Sequence, residues 1–235
     1  MITRFLISLS AFAAMLSFAS TATAACERYP TVAEEFAAAD YVFMVQVTSG
    51  RMDRTPADHE GFDGVEYTVQ PLKTFKGEPP PELLLYSENS TGRFPMAVAG
   101  WYLVFVGPAY GVGFAEPPRI ERAVSNCGHS FLLNSVPFAL ERPPTDLTFD
   151  QLMAMAPEIS ALVERAEGCL HFQGEEPYDE YRRGDIARAL MNLRCDTLGS
   201  EVASTRARFD GAPEAQTRLD RAMEGNTRPA SRPGS

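Results

Sequence analysis

Four cysteines constrain this chain more than any other feature of its sequence. Cys26, Cys127, Cys169 and Cys195 make an even number, and the chain begins with a segment typical of exported proteins. Thiols that reach an oxidising compartment form disulfides, so we expect two bridges and no reactive thiol. Four cysteines allow three connectivities. Because Cys26 and Cys127 lie in a β-rich half and Cys169 and Cys195 in a helical half, we expect pairing within each half.

Residues 1–24 are predicted to be a signal peptide. Arg4 supplies a positive start, Phe5–Ala19 is apolar, and Ala22-Thr23-Ala24 has the small residues of a cleavage site. The apolar run is short for a membrane span, which needs about 20 residues. We therefore expect a periplasmic or secreted protein. Lipid anchoring at Cys26 is not expected, because Thr23 stands where lipoprotein signals carry Leu or a similar apolar residue.

The charge of the chain argues against some partners. Its 31 acidic residues outnumber its 21 basic ones, and the net charge is −10 at pH 7. Nucleic acids select basic surfaces, so we expect no nucleic-acid partner, whereas a basic protein would suit this surface. No segment after the leader is apolar enough to span a membrane, and about 210 mature residues suffice for one large domain or two small ones.

Residues 25–140 are predicted to form a five-stranded Greek-key barrel with a short leading helix. Thr31 and Glu34 form a capping-box pattern at the start of the helix Val32–Ala39. Short runs rich in aromatic and β-branched residues then alternate with turn signals, which favours a small antiparallel barrel. Strands are predicted at Tyr41–Val47, at Val65–Gln70 running on toward Phe75, and at Leu83–Tyr86, Trp101–Val106 and Tyr110–Phe114. The predicted core is Val42, Met44, Val69, Leu84, Leu103 and Phe105, and Cys127 is expected to end the β region.

A linker at residues 141–147 is predicted to lead into a helical module at residues 148–224. Thr148 and Gln151 repeat the capping-box pattern, and Pro157 is expected to restart the helix, with Ile159, Leu162, Val163 and Ala166 on one face. A longer helical stretch runs from Ile186 to Phe209, with Gly199 as a break, and another helix covers Pro213–Met223. The tail at 225–235 is expected to be disordered.

The predicted bridge between Cys169 and Cys195 would clamp this helical module. Cys169 is expected after the first helix and Cys195 inside the next. A helical hairpin buries little apolar surface, so it needs such a bridge. The predicted fold class is therefore α+β: a barrel followed by a small disulfide-clamped helical module.

Several motifs of the β half are found together in one family. They are the leading Cys26, the helix with its following acid at Glu35–Asp40, the strand Val42–Val47, the Phe75-Lys76-Gly77 turn, the Gly100–Phe105 strand and the closing Cys127. With these motifs, residues 26–133 resemble the TIMP-like (netrin-module) OB-fold domains of bacterial exported proteins. The resemblance implies an OB-like barrel and a protein partner. Animal inhibitors of this fold bind a protease zinc through a Cys-x-Cys start, but Cys26-Glu27-Arg28 lacks the second cysteine, so we do not expect that mode of inhibition.

Two short segments of the helical half resemble another group. Cys169–Asp179 and Met191–Cys195 are similar to small disulfide-clamped helical modules of the bacterial envelope, including the lysozyme-inhibitor-like ones. The stretch is too short to imply a function.

Four polar side chains form the most site-like cluster in the sequence: His171, Glu175, Glu176 and Asp179. An imidazole and carboxylates in one turn-rich segment can bind a cation or orient a water. Acidic residues are also favoured at a helix N-terminus, and we prefer this structural interpretation.

Two further groups are interpreted as structural. Asp53, Asp58, His59, Glu60 and Asp63 crowd one predicted loop between Arg51 and Gly64, but they lack the ordered spacing of a calcium loop. The thiol of Cys127 lies near His129 in sequence, but a disulfide is expected to remove it from catalysis. We therefore predict no catalytic residue, no metal site and no cofactor.

The sequence thus predicts an exported, non-catalytic binding module, and by resemblance an inhibitor-like protein that acts on an envelope or secreted hydrolase. Two alternatives are open. One is a hydrolase or cation-binding protein that uses the cluster around His171, and the other is a passive envelope-stability factor.

Overall fold

The computed structural model describes residues 26, 28–53, 61–90, 92–109, 121–133 and 142–224. Its strands are β1 (Tyr41–Asp53), β2 (Gly64–Lys76), β3 (Leu83–Glu88), β4 (Trp101–Ala109), β5 (Glu121–Val124) and β6 (Phe131–Leu132). Its helices are α1 (Val32–Ala38), α2 (Phe149–Ala154), α3 (Pro157–Gly174), α4 (Glu180–Asn192), α5 (Leu198–Arg208) and α6 (Pro213–Glu224). Within the described ranges, none of the helices combines the length and the apolar character that a membrane crossing requires.

The first five strands close into a barrel. β1 pairs with β2, β2 with β3 and β5 with β4, and β4 pairs back with β1, all antiparallel. β3 and β5 run parallel and complete the ring. The pairing of β1 with β2 is irregular near Val42, Met44 and Val47, and such bulges bend and twist a strand so that a sheet can close. The predicted α+β class with a five-stranded barrel is confirmed.

The fifth predicted strand is not tested, and the predicted end of the β region is wrong. β5 lies at Glu121–Val124, whereas the predicted strand Tyr110–Phe114 falls outside the described residues. Cys127 does not end the β region, because β6 follows it and pairs with Tyr102 and Leu103 of β4.

The barrel interior is filled by alternate side chains of the strands. The buried residues that share it are Phe43, Val45, Val47, Tyr67, Val69, Leu83, Leu85, Met96, Tyr102, Val104, Val106 and Val124. Since successive side chains of a strand point to opposite faces, the residues between them point outward.

The outer face of β1 and β4 is also buried, because the helices pack on it. Val42, Met44, Leu103 and Phe105 share a second core with residues of the helices. The helical members include Leu152, Ile159, Leu162, Leu198, Val202, Phe209 and Leu219. This second core therefore joins the barrel to the helices.

The predicted core residues divide between these two cores. Val69 lies in the barrel interior, while the four outward-facing residues of β1 and β4 lie under the helices. The prediction is wrong for Leu84, which is 50% exposed. Its neighbours Leu83 and Leu85 occupy the inward positions, so Leu84 must point outward.

The helix starts follow the sequence signals. Both capping boxes are present, Thr31 with Glu34 and Thr148 with Gln151. Pro157 begins α3 as predicted, and the predicted face of α3 is buried. The predicted break at Gly199 is wrong, because Gly199 lies inside α5 and the chain leaves the helical path at Arg194, whose φ is 52°. A left-handed residue of this kind cannot continue an α-helix.

Both disulfides have the predicted pairing. Cys26 bonds to Cys127 and Cys169 to Cys195, with Cα–Cα distances of 5.8 and 5.7 Å. The predicted surroundings of the second bridge are wrong: Cys169 lies inside α3, which continues to Gly174, and Cys195 lies in the turn after α4. The bridge therefore ties the body of α3 to the turn between α4 and α5.

The two lysines of the chain fasten the barrel to neighbouring segments. Lys76 donates from Nζ to the carbonyl oxygens of Phe36 and Ala37, each at 2.7 Å, at the C-terminal end of α1. Lys73 donates to the carbonyl oxygen of Leu147 at 2.6 Å, just before α2. The chain has 21 basic residues in all, and the other 19 are arginines.

The N-terminal end of α1 rests against the turn between α5 and α6. The Ala33 N–H donates to the Asp210 carbonyl at 2.8 Å. Gly211 has a φ of 92°, and a Cβ there would come within 2.8 Å of the Ala33 side chain. This position therefore requires glycine both for its backbone conformation and for the close approach to α1.

Candidate functional site

The members of the predicted cluster around His171 are held by local contacts. Glu175 is held by Arg182, whose Nε and Nη2 donate to its two carboxylate oxygens at 2.5 and 2.6 Å. This bidentate pair lowers the pKa of Glu175 and raises that of Arg182. His171 Nε2 lies 3.8 Å from Glu175, and its ring is exposed.

The other two members of the cluster follow the structural interpretation. Asp179 is the N-cap of α4 and accepts the Arg182 N–H at 2.7 Å. Glu176 is exposed. Within the described part of the chain, no group of three or more His, Cys, Asp or Glu side chains is arranged to hold a metal ion.

The acidic loop is described only at its two ends. Asp63 donates its backbone N–H to the Asp53 carbonyl at 2.8 Å, where β1 and β2 meet the loop. Asp58, His59 and Glu60 lie outside the described residues.

His129, which the sequence places near the Cys127 thiol, is buried against α1. Its side chain is 1% exposed and lies beside Glu35 of α1, which is 11% exposed. Glu35 Oε2 accepts from the His129 backbone N–H at 2.7 Å and lies 2.8 Å from Nδ1. Because a carboxylate oxygen only accepts, Nδ1 carries the proton in this bond. His129 is therefore buried, and Glu35 is its partner.

Aromatic rings and a glycine shape this buried pair. The His129 ring meets Phe209 edge to face at 5.1 Å between centroids and lies 6.4 Å from Phe105. A Cβ on Gly128 would lie 1.9 Å from Glu35 Oε1, and the three atoms nearest to it all belong to Glu35. Glycine is thus needed at position 128 so that the carboxylate can reach the His129 amide.

Sequence reasoning missed this pair because its partners are 94 positions apart. The sequence signal for it is Gly128, because glycine often stands where another group approaches the backbone closely.

A cleft of about 590 Å³ opens beside this pair and the Cys127 bridge. Among the described residues, Glu35, Glu88 and Arg93 are the charged ones that line it, and Phe105 contributes an aromatic surface. The volume falls in the range of about 300–1,000 Å³ that is usual for ligand sites. The cleft lies where α1 crosses the barrel next to β3, β4 and β5.

A smaller groove of about 360 Å³ runs between α3 and α5. Its charged groups are already paired: Arg165 donates to Glu201 at 2.7 Å, and Arg208 donates to Glu158 at 2.8 Å. Arg165 and the Thr197 hydroxyl hold the pKa of Glu201 at about 2. The charged side chains of this groove therefore form ion pairs that join α3 to α5.

No protein-family model matches this chain, and no curated protein is significantly similar to it.

Proposed function

We propose that this chain is an exported, non-catalytic binding protein whose partner is another protein of the cell envelope or the medium. One observation carries the proposal: a closed barrel with an open cleft of about 590 Å³, placed next to the disulfide that fixes the start of the described chain. A rigid frame that presents an open surface suits recognition.

The strand order supports an OB-type assignment of the barrel. The ring runs β1-β2-β3-β5-β4 and closes back on β1, with β3 and β5 parallel. With the Cys26–Cys127 bridge, this order supports the TIMP-like resemblance of residues 26–133. By that resemblance the partner is a hydrolase that the chain inhibits, although fold alone does not determine function.

Export is part of the proposal, because it explains why the cysteines form disulfides. All four cysteines are bridged, as expected for a chain that leaves the reducing cytoplasm. The helices from residue 148 to 224, with the Cys169–Cys195 bridge, are proposed to act as a clamped module that supports the barrel.

The partner is proposed to be basic. The chain carries a net charge of −10 at pH 7, and attraction between opposite charges speeds encounter and weakens as salt screens it.

Non-reducing peptide mapping of the exported protein tests the export step. We expect a mature start at Ala25 and the two bridges seen in the structure. An uncut leader with free thiols in the cytoplasm would contradict the proposal.

Affinity capture tests the binding step. The oxidised protein is immobilised and exposed to envelope and secreted extracts, with the same protein after reduction and alkylation as the matched control. We expect a partner that only the folded protein retains and that elutes as salt rises. If no protein is retained above the control, the chain is instead a passive stability factor.

A further inference from the structure

The hairpin of α3 and α4 extends beyond the core of the molecule. The buried residues of α3 end at Cys169, and the one buried residue of α4 is Ile186. None of the residues from 170 to 185 is buried. We call residues 170–183 the hairpin tip. Because packing of apolar side chains is what usually stabilises a helix in a protein, the hairpin tip needs another source of order.

A disulfide and polar contacts supply that order. The Cys169–Cys195 bridge ties the base of the hairpin tip to the turn after α4. At its far end, the Arg182 guanidinium donates to both carboxylate oxygens of Glu175. The Arg182 backbone N–H also donates to Asp179, which caps α4. The hairpin tip is therefore held together without a core of its own.

Two tyrosines of the hairpin tip are left in solvent. Tyr178 is 82% exposed and Tyr181 is 76% exposed, the largest exposed fractions among the described large apolar side chains. A tyrosine offers a wide apolar ring and a hydroxyl and loses little side-chain freedom on binding, so tyrosines are enriched at protein interfaces. Since these two rings do not pack in the fold, we expect them to contact another molecule.

The surface around the tyrosines is net negative. Four acidic residues and two arginines lie between positions 174 and 184. The two arginines form ion pairs with two of the acidic residues, Glu175 and Glu180. Glu176 is exposed, and Asp179 accepts a backbone N–H, a contact that leaves its charge in place. The carboxylates of Glu176 and Asp179 therefore give the hairpin tip its negative charge.

We propose that the hairpin tip contacts the partner protein and enters a recess of the partner lined by Lys and Arg side chains. This inference rests on the proposed function and adds a contact surface in the helical half of the chain. Cations pack favourably on tyrosine rings, and opposite charges steer the encounter. A surface that is already fixed loses little conformational freedom on binding, so more of its contact energy appears as affinity.

Site-specific photo-crosslinking tests this inference. The photoreactive residue p-benzoylphenylalanine replaces Tyr178 or Tyr181 in the oxidised protein, and the matched control carries it at Leu84, which is 50% exposed on the barrel. Each protein is irradiated in envelope and secreted extracts, and the cross-linked peptides are sequenced by mass spectrometry. We expect one partner protein at both tyrosine positions, cross-linked through peptides that contain Lys or Arg, and no cross-link to it at Leu84.

The cross-linked protein is then purified, and its dissociation constant is measured with each variant of this chain. Tyr178→Ala and Tyr181→Ala should each weaken binding by at least about tenfold, as expected for aromatic residues at the centre of a contact. Glu176→Lys should weaken binding by about two- to fivefold at low salt and by less at high salt. Leu84→Ala should bind like the wild-type protein. All four positions are exposed, and thermal unfolding of each variant shows that the fold is retained.

The outcomes separate this inference from the proposed function. If both tyrosine variants bind the captured partner as tightly as the wild type does, or if that partner cross-links at Leu84 alone, the hairpin tip is not the contact surface and the proposed function stands. Cross-linked peptides without Lys or Arg, or cross-links between two copies of this chain, would also overturn the inference. If the wild-type protein captures no partner, the proposed function is contradicted and the inference is overturned with it.

Discussion

Removal of the Glu35 carboxylate should destabilise the whole molecule, because it holds a buried histidine at the junction of barrel and helices. In Glu35→Ala the His129 backbone N–H and Nδ1–H lose their shared acceptor, Glu35 Oε2, which lies 2.7 and 2.8 Å from the two nitrogens. A buried donor without a partner costs about 1–3 kcal/mol, so we expect a loss of about 2–4 kcal/mol in the free energy of unfolding. For a chain of this size the melting temperature should fall by about 4–16 °C. Glu35→Gln keeps an acceptor oxygen and should lose only about 1 kcal/mol.

A substitution at Gly128, combined with Glu35→Ala, gives a double-mutant cycle. Gly128→Ala places a methyl group 1.9 Å from Glu35 Oε1 and should displace the carboxylate from His129. The single variants should therefore lose similar amounts of stability, and the double variant should lose little more than either one. The coupling free energy should be about 2–4 kcal/mol, opposite in sign to the single losses.

The assay is guanidinium unfolding of the oxidised protein, followed by the fluorescence of its single tryptophan, Trp101, and by circular dichroism. Equal slopes for all variants would show that only stability has changed. Additive losses in the double variant, or a Glu35→Ala protein within about 0.5 kcal/mol of the wild type, would refute the role of the pair.

Two further perturbations test other contacts. Lys76→Met removes the charged donor at the carbonyl oxygens of Phe36 and Ala37. We expect the free energy of unfolding, measured in urea, to fall by about 1–2 kcal/mol and to recover partly in Lys76→Arg. An unchanged unfolding midpoint would contradict a stabilising role for this contact. Glu201 has a folded pKa of about 2, below its ordinary 4.5, so its contribution to stability is present above the unfolded pKa and is lost as pH falls through about 2. Between about pH 5 and about pH 2, the melting temperature should therefore fall less in Glu201→Gln than in the wild type or in the exposed control Glu214→Gln. Equal falls in all three proteins would contradict the contribution of Glu201 to this pH dependence.

Local signals predicted much of the fold. The capping boxes at Thr31 and Thr148 and the proline at the start of α3 depend on residues three or four positions apart, and all three are present. The pairing of cysteines followed from the division of the chain into a β-rich half and a helical half. These inferences needed no knowledge of long-range packing.

The errors arise where distant segments decide the outcome. Val42 and Phe105 looked like barrel interior, but the helices cover them from outside, and no local pattern distinguishes two apolar environments. β5 is short and begins with Glu121 and Arg122, so it lacks the alternation that identifies a strand.

The candidate site was predicted only in part for the same reason. Glu175 is paired across the turn to Arg182 in α4, a contact that no local pattern indicates. Glu35 and His129 meet only because α1 packs on the loop after β5.

The core shared by the barrel and the helices affects how the chain folds during synthesis, which begins at the N-terminus. Val42, Met44, Leu103 and Phe105 are synthesised well before Ile159, Leu198 and Leu219, which cover them. A newly made barrel therefore exposes an apolar surface until the last helix has been synthesised and packed, and such a surface promotes aggregation. We therefore expect the chain to need more help from chaperones the longer this apolar face stays uncovered.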